Sequence, residues 1–497
     1  MSKKSERRKK LYLIGIDSAP LWLIKEFGHL KGFERFLKQG KMVELESTMP
    51  PMTGPSWPSI YTGLHPGEHG VPDFFHMKKE YTPDLAFYDP EEVPPFWENL
   101  AKAGYKCLVI TPATDVKVQR HKNIDMITGF PFKSKPSSAE LEALMKKYNF
   151  YGEADIEKEM MSGKLSLEKS SKIYSDGIKV RSKIAKEMME KHEYDFVYVC
   201  FTETDRMQHA SLNNPKYKDY LLPIYSEISN FITYVQEMAD KEDGIVMVIS
   251  DHGALPVKDK FLINTFLLDE GFATFKQSVQ KDLSDSKEGK AGKMSLRYAI
   301  REKLLTTKLR KVYDHMPHQL KKQVFNLSAA LFSQISKEDY AHIHLYDLDM
   351  SKTKAFAAIS NLVVSTIWIN DSRFIKGIVS KAEKHKLKSE IIAKLKEVKS
   401  KQGDKLFVNV LDADPYYKNT KKFIAPDIFA EVKAGYTVDV KYFSLKSMFM
   451  RPEIAKSGDH SKFGIFGVYP SGKVPMGKKE LDVTEVMPKI MEYFKVK

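Results

Sequence analysis

Three short apolar runs, each leading within a few residues to an aspartate, constrain this chain more than any other feature. Residues Leu11 to Ile16, Asp195 to Phe201 and Gly244 to Ile249 are rich in β-branched and aromatic side chains, and they lead to Asp17, Asp205 and Asp251. Continuous apolar runs of this length read as parallel strands buried on both faces. In open α/β sheets the crevice beyond the carboxyl ends of the strands is where ligands bind, so three acids placed there are expected to converge on one site.

The alternation of strand-like and helix-like text through residue 270 predicts an α/β fold, a doubly wound and mostly parallel sheet with helices on both faces. Helices are expected over 21–38, 57–64, 137–191 and 220–240, with further strands at 42–46 and 105–111. From 271 to 351 the alternation stops. Between Lys276 and Lys337 there are 14 Lys or Arg against 5 Asp or Glu, with apolar residues at helical spacing (Leu296, Ile300, Leu304, Leu305), which reads as an inserted basic helical cap. Strand-like text resumes at 354 and a last helix is expected near 483–494. The expected organisation is a basic flexible tail (1–10), a first part of the main domain (11–270), the cap (271–351) and a second part of the main domain (352–497). At 497 residues the chain is long enough for such a core with an insertion.

The formal charge of +14 favours polyanionic neighbours, so an anionic surface met through the cap (Arg297, Arg301, Lys308, Arg310, Lys311) is one partner expectation, and a solvated basic face is the other. Cys107 and Cys200 both lie in apolar runs, which argues against a disulfide framework and for a reducing compartment. The apolar run after the basic tail ends at Asp17 after about six residues, short of the ~7–15 of a signal peptide. No stretch reaches the ~20 apolar residues of a membrane span. A cytoplasmic, soluble protein is expected.

The chemistry is concentrated in a few short motifs. Asp205 and His209 are four apart, so on a helix they share a face. Asp251-His252 follows the third strand directly, and this mixture of carboxylate and imidazole suits zinc, manganese or iron better than calcium. Thr53 lies in a Pro- and Gly-rich loop (Pro50-Pro-Met-Thr-Gly-Pro55) that opens a helix, whose free N–H groups can hold an anion. Beside two cations a threonine hydroxyl can be deprotonated and attack phosphorus. His65, Glu68 and His69 sit in a tight turn between Pro66-Gly67 and Gly70 and read as structural. Asp73, His76 and Asp459 are candidates for orienting ligands, and Arg206 for clamping a phosphate.

Gly15-Ile-Asp17, Thr53-Gly-Pro-Ser-Trp-Pro-Ser-Ile-Tyr-Thr62-Gly63 with Leu64-His-Pro-Gly67-Glu-His69-Gly70, the Asp205 and His209 pair, Ser250-Asp-His-Gly253 and Gly458-Asp-His460 together resemble the alkaline phosphatase superfamily, in particular its type I phosphodiesterase and nucleotide pyrophosphatase branch of prokaryotic type. The resemblance implies an alkaline phosphatase-like sheet and a hydrolase with two divalent cations, zinc first and manganese or iron as alternatives. It assigns one cation to Asp205, His209 and His460, and the other to Asp17, Thr53, Asp251 and His252. It makes Thr53 the nucleophile of a phosphothreonine intermediate, acting on a small phosphoester or nucleotide. Two positions depart from the pattern. Ser56 and Phe74 stand where nucleotide pyrophosphatases usually carry asparagines that bind a phosphoryl oxygen, which leaves the Ser56 hydroxyl and the Gly54 N–H as the candidate donors. The alternatives are a phosphomonoesterase with the same site, or a non-catalytic scaffold that binds polyanions or a membrane surface. A scaffold has no physical reason to keep clustered carboxylates, which repel without a cation.

Overall fold

The computed structural model describes residues 8–114, 117–131, 133–150, 152, 156–161, 163–277, 347–359, 363–417, 420–440, 447–450, 457–474 and 481–496. Among these, eight strands form a central sheet: β1 (Leu11–Ile16), β2 (Lys41–Glu46), β3 (Cys107–Ile110), β4 (Ile124–Ile127), β5 (Phe196–Phe201), β6 (Ile245–Ile249), β7 (Phe463–Tyr469) and β8 (Leu481–Asp482). Their order is β8-β2-β7-β6-β1-β5-β3-β4. The three runs that lead to acids, β1, β5 and β6, lie side by side and parallel in the middle. Every residue in them is buried, as apolar runs without alternation require. Their registers pair Ile16 with Phe201 and Gly15 with Ile249, so all three strands end level and deliver their trailing residues to one edge.

Helices cover both faces. Lys31–Gln39, Leu167–Lys191 and Tyr217–Glu242 pack on one side, in a core with Ile14, Val199 and Val248. Thr53–Thr62, Phe96–Lys102 and Val486–Phe494 pack on the other, against Leu13, Tyr198 and Met247. Two expected helices are broken. The 21–38 stretch becomes Leu21–Glu26 and Lys31–Gln39, interrupted around Gly28, which is a poor helix former. The 137–191 stretch becomes Ala139–Lys147, Glu157–Met161 and Leu167–Lys191, where Ser138 and Ser166 cap the first and last of these with their side chains.

After residue 352 the chain does not rejoin the central sheet at once. Ala355–Phe356, Val364–Ile369, Ile428–Val432 and Phe407–Asp412 pair antiparallel with one another in a separate four-stranded sheet. The helix Lys381–Glu397 packs on it, and Ile367, Ile391 and Phe407 belong to its own core. Apolar patterning reveals a strand but not its partner, so this text reads the same from sequence whichever sheet it joins. The chain regains the central sheet only at β7, which inserts antiparallel between β2 and β6. At the expected cap, Phe272, Phe275 and Leu348 are buried in the second core and Phe275 bridges to Leu348. Residues 278–346, with the basic positions named above, lie outside the described residues, as do residues 1–7 of the tail. No helix among the described residues is long and apolar enough to cross a membrane.

Candidate active site

At the level edge of β1, β5 and β6 the structure gathers all seven expected ligands. Asp17 follows β1 in a sharp turn, with Ser18 in the left-handed region at φ 62° and its N–H donating to Asp251 Oδ1 at 3.2 Å. A serine held there stores a modest strain, which the two strands flanking β1 enforce. After β5 the chain enters the helix Glu203–Ser211, which sets Asp205 and His209 on one face as their spacing predicts. After β6 come Ser250, whose hydroxyl accepts from Ala19 N and donates to His252 O, and then Asp251 and His252, both fully buried.

His460 arrives from the far end of the sequence on a two-stranded ribbon. Gly458–Ser461 pairs antiparallel with Gly253–Pro256 and puts His460 opposite Ala254. The fit is close: a Cβ on Gly458 would lie 2.3 Å from Gln208 O. Gly458→Ala is therefore expected to push the ribbon off the Asp205 helix and destabilise the protein by about 3 kcal/mol, read by thermal melting. Asp459 braces the same segment, accepting from His460 N at 2.8 Å and from the Thr437 hydroxyl at 2.6 Å.

The three imidazoles are oriented alike. His209 Nδ1 is 2.9 Å from Gly458 O, His460 Nδ1 is 2.9 Å from Pro51 O and His252 Nδ1 is 3.1 Å from Gly253 O. A carbonyl can only accept, so each Nδ1 carries the proton and each Nε2 turns a lone pair inward. The Nε2 atoms of His209 and His460 face each other at 3.0 Å, with Asp205 Oδ1 at 3.4 and 3.3 Å. His252 Nε2 lies 3.6 Å from Asp17 Oδ1, 3.3 Å from Asp251 Oδ2 and 3.2 Å from Thr53 Oγ1, which is itself 3.4 Å from Asp17 Oδ1.

Facing lone pairs do not satisfy one another. Asp205 Oδ1 and Asp251 Oδ2 are buried without a hydrogen-bond partner, a costly state unless something positive sits between them. The donor set fits divalent cations. Asp205, His209 and His460 form one group with ligand atoms within 4.8 Å of one another, and Asp17, Asp205 and His252 form a second. Thus Asp205 lies between the two, a carboxylate positioned to serve both.

Electrostatics carry the same signature. Burial, then the charges of Asp251 and Asp205, pushes Asp17 well above the usual carboxylate range, and burial lifts Asp251 to about 7. Burial also pulls upward on Asp205, but His209 and His460 overcome it and hold this carboxyl below its ordinary value. His252 is driven down by burial and by His460. On its own, then, the cage keeps Asp205 ionised but not Asp17 and Asp251.

Thr53 opens the buried helix Thr53–Thr62. A Cβ on Gly54 would stand 3.0 Å from the Phe74 backbone nitrogen, so Phe74 packs against the nucleophile loop without offering a side-chain donor. The Ser56 hydroxyl is fully buried, 2.9 Å from Ser47 Oγ and 2.7 Å from Thr48 Oγ1, and so ties the helix to the end of β2. His65 and Glu68 form a reciprocal cap on the turn Pro66–His69. His69 is buried, 3.0 Å from Ser59 Oγ, and burial with the nearby Lys422 and His65 pulls it down to about 3. Both findings match a structural role. Asp73 and His76 line a neighbouring cleft. The guanidinium of Arg206 lies 4.7 Å over the Phe130 ring, and its charge reaches Asp17.

One supporting pair left no trace in the sequence pattern. Arg181, on the Lys-rich helix Leu167–Lys191, is fully buried and pairs with Glu203 at the start of the Asp205 helix, donating also to Cys200 O at 2.5 Å. Arg181→Met removes the cation that neutralises a buried carboxylate and is expected to cost about 3–5 kcal/mol in a denaturant melt, most of it regained in Arg181→Met with Glu203→Gln.

A profile of the family described as type I phosphodiesterase / nucleotide pyrophosphatase matches residues 11–369. Among solved structures, phosphonoacetate hydrolase from Sinorhizobium meliloti 1021 is 14% identical, with 99% of this chain and 96% of that one covered at a TM-score of 0.55. Murine ectonucleotide pyrophosphatase / phosphodiesterase 5 is 12% identical, with 98% and 96% covered at 0.50. At these identities the likeness speaks for the fold. No curated protein sequence matches the chain.

Proposed function

The chain belongs to the type I phosphodiesterase / nucleotide pyrophosphatase family, and from that premise we propose that it hydrolyses phosphoric diesters through a phosphothreonine intermediate on Thr53. The observation that carries the reading is the set of three inward Nε2 atoms and two unpartnered carboxylate oxygens, with the Thr53 hydroxyl against His252 and Asp17 at its edge. Two divalent cations, when bound, supply Lewis-acid charge that lowers the pKa of that hydroxyl and offsets charge on the phosphoryl oxygens. Asp205, His209 and His460 would hold one of them. Asp17, Asp251, His252 and Thr53 would hold the other, with Asp205 between. Zinc is the first candidate, and manganese or iron the alternatives, because imidazole makes up so much of the donor set.

Thr53 Oγ forms the new bond to phosphorus as the bond to the leaving alcohol breaks, and the alcohol departs with a proton. Water then cleaves the Thr53 ester, restoring the hydroxyl and releasing a phosphomonoester. The helix that begins at Thr53 has its first N–H groups at this position, and Gly54 N–H takes the donor role, since the Ser56 hydroxyl is engaged with Ser47 and Thr48. A cytoplasmic location belongs to the same reading, supported by two buried free thiols. An anionic surface met through the basic segment 278–346 remains a separate proposal, testable by salt-dependent binding to anionic vesicles.

The test is turnover of bis-p-nitrophenyl phosphate, p-nitrophenyl phosphate and thymidine 5′-monophosphate p-nitrophenyl ester with zinc, manganese or chelator. Cation-dependent diester cleavage is the expected result. A monoester preference would transfer the assignment to a phosphomonoesterase, and no turnover by folded, cation-loaded protein would leave the scaffold reading in front.

A further inference from the structure

The helix Glu203–Ser211 does more than carry Asp205 and His209. A second pair on it, Thr204 and Gln208, is also four residues apart and so shares a neighbouring face. Both side chains are buried, and both reach the turn that follows β1. The Thr204 hydroxyl donates to Asp17 O at 2.5 Å, and Gln208 Nε2 donates to Ser18 O at 2.9 Å. One helix thus supplies ligands to one cation set and holds the backbone of the other.

The turn needs that hold. Pairing between β1 and β5 extends as far as Asp17 N, which donates to Phe201 O at 2.9 Å, and β5 then gives way to the helix. Ser18, next along, sits at φ 62°, a conformation that a non-glycine residue keeps only where its surroundings impose it. Towards β6 the turn is tied separately, by Ser18 N to Asp251 Oδ1 and by Ala19 N to the Ser250 hydroxyl. Those contacts knit Asp17, Asp251 and His252 into one unit. Thr204 and Gln208 join that unit to the helix of the other set, in addition to the ribbon that pairs the strand after His252 with the one carrying His460.

Packing alone does not account for Gln208. A carbonyl can only accept, so its amide nitrogen faces Ser18 O, and its Oε1 is left buried with no hydrogen-bond partner among the described residues. One bond made against one buried acceptor stranded is close to neutral for folding. A methionine fills a similar volume without the stranded oxygen. What methionine lacks is the donor to Ser18 O.

We infer that Thr204 and Gln208 are positioning residues that fix the Asp17 turn against the Asp205 helix, and so set how tightly the Asp17, Asp251 and His252 set takes up its cation. This rests on the two-cation reading of the cage and goes beyond it in assigning a source of affinity outside the ligands. Carboxylate and imidazole ligands hold a cation tightly when their spacing is fixed beforehand, and contacts behind the ligands commonly contribute about 10- to 100-fold in affinity.

The test is equilibrium dialysis against buffered free zinc, counting zinc per chain in wild type, Gln208→Met, Thr204→Val and Thr204→Ser, each first shown to be folded by its melting curve in chelator. Wild type is expected to take up two zinc ions. In Gln208→Met and in Thr204→Val one zinc should bind at the wild-type free concentration, while the other needs about tenfold more. Thr204→Ser keeps the hydroxyl and should restore the wild-type curve. Turnover of bis-p-nitrophenyl phosphate by the two weakened variants should fall at limiting zinc and return when zinc is raised, which a general structural defect would not allow. If both variants keep the wild-type curve, or lose both zinc ions in equal measure, the positioning role is overturned while the two-cation cage stands. If folded wild type takes up neither zinc nor manganese, the cage reading falls and the positioning role falls with it. Dialysis decides between these outcomes even if no ester is turned over.

Discussion

Thr53→Ala is expected to reduce cation-dependent ester hydrolysis by on the order of 10⁴-fold or more, with the fold and the cation affinity largely retained. Nucleophile removal in covalent hydrolases commonly has effects of this size, because binding and charge stabilisation survive while the bond-forming atom is gone. The side chain is small and contributes a hydroxyl that contacts Asp17 and His252 at 3.4 and 3.2 Å, so its loss removes chemistry and little packing. Thr53→Ser keeps the hydroxyl and should retain activity to within about a hundredfold, the deficit reflecting a freer rotamer without the γ-methyl group. Rapid quenching during turnover, followed by mass spectrometry of the peptide carrying Thr53, should find a phosphoryl adduct in wild type and Thr53→Ser but not in Thr53→Ala. Full activity in the alanine variant would falsify the nucleophile assignment and leave direct attack by water as the remaining route.

The legibility of each residue in the sequence depends on how local its placement is. Asp17, Asp205 and Asp251 were legible because their neighbours in sequence are the buried parallel strands that position them. His209 was legible because helical spacing is local. Thr53 was marked by its turn residues and the helix it opens. His460 was legible through its motif but not its route, since the ribbon that delivers it pairs Gly458–Ser461 with residues more than 200 positions earlier. The contacts of Ser56 with Ser47 and Thr48 at the end of β2 were not legible, because they are an outcome of how that strand meets the helix. The second sheet was hidden for a related reason: Val364–Ile369 reads as a strand on its own, but the partner it chooses depends on Ile428–Val432, some 60 residues on. Arg181 looked like one more cation on a basic helix, and only burial beside Glu203 distinguishes it.

Removing the cations should destabilise the protein, and the size of that effect should depend on pH in a defined direction. A site filled at about 1,000 times its Kd stabilises by roughly 4 kcal/mol, so chelator is expected to lower the melting temperature by several degrees. In the cation-free protein Asp251 has its value raised from 3.8 to about 7 by burial, and Asp17 is raised as well. The folded state then binds more protons than the unfolded chain between these limits, so stability is greatest below pH 4 with respect to these groups and falls as pH rises toward 7. The loss from Asp251 alone is on the order of 4 kcal/mol. Bound cations cancel it, because they favour the ionised carboxylates and release the protons. Asp251→Asn should therefore behave oppositely in the two states: more stable than wild type at pH 8 in chelator, since a neutral amide replaces a buried charge, and less responsive to added zinc. Melting curves of both proteins at pH 5 and pH 8, with zinc and with chelator, decide it. If cation-free wild type melts at the same temperature at both pH values and Asp251→Asn gains nothing, the cage is not under the charge repulsion that its geometry implies. If the expected crossing is seen, the same repulsion that destabilises the empty cage is what makes it select divalent cations.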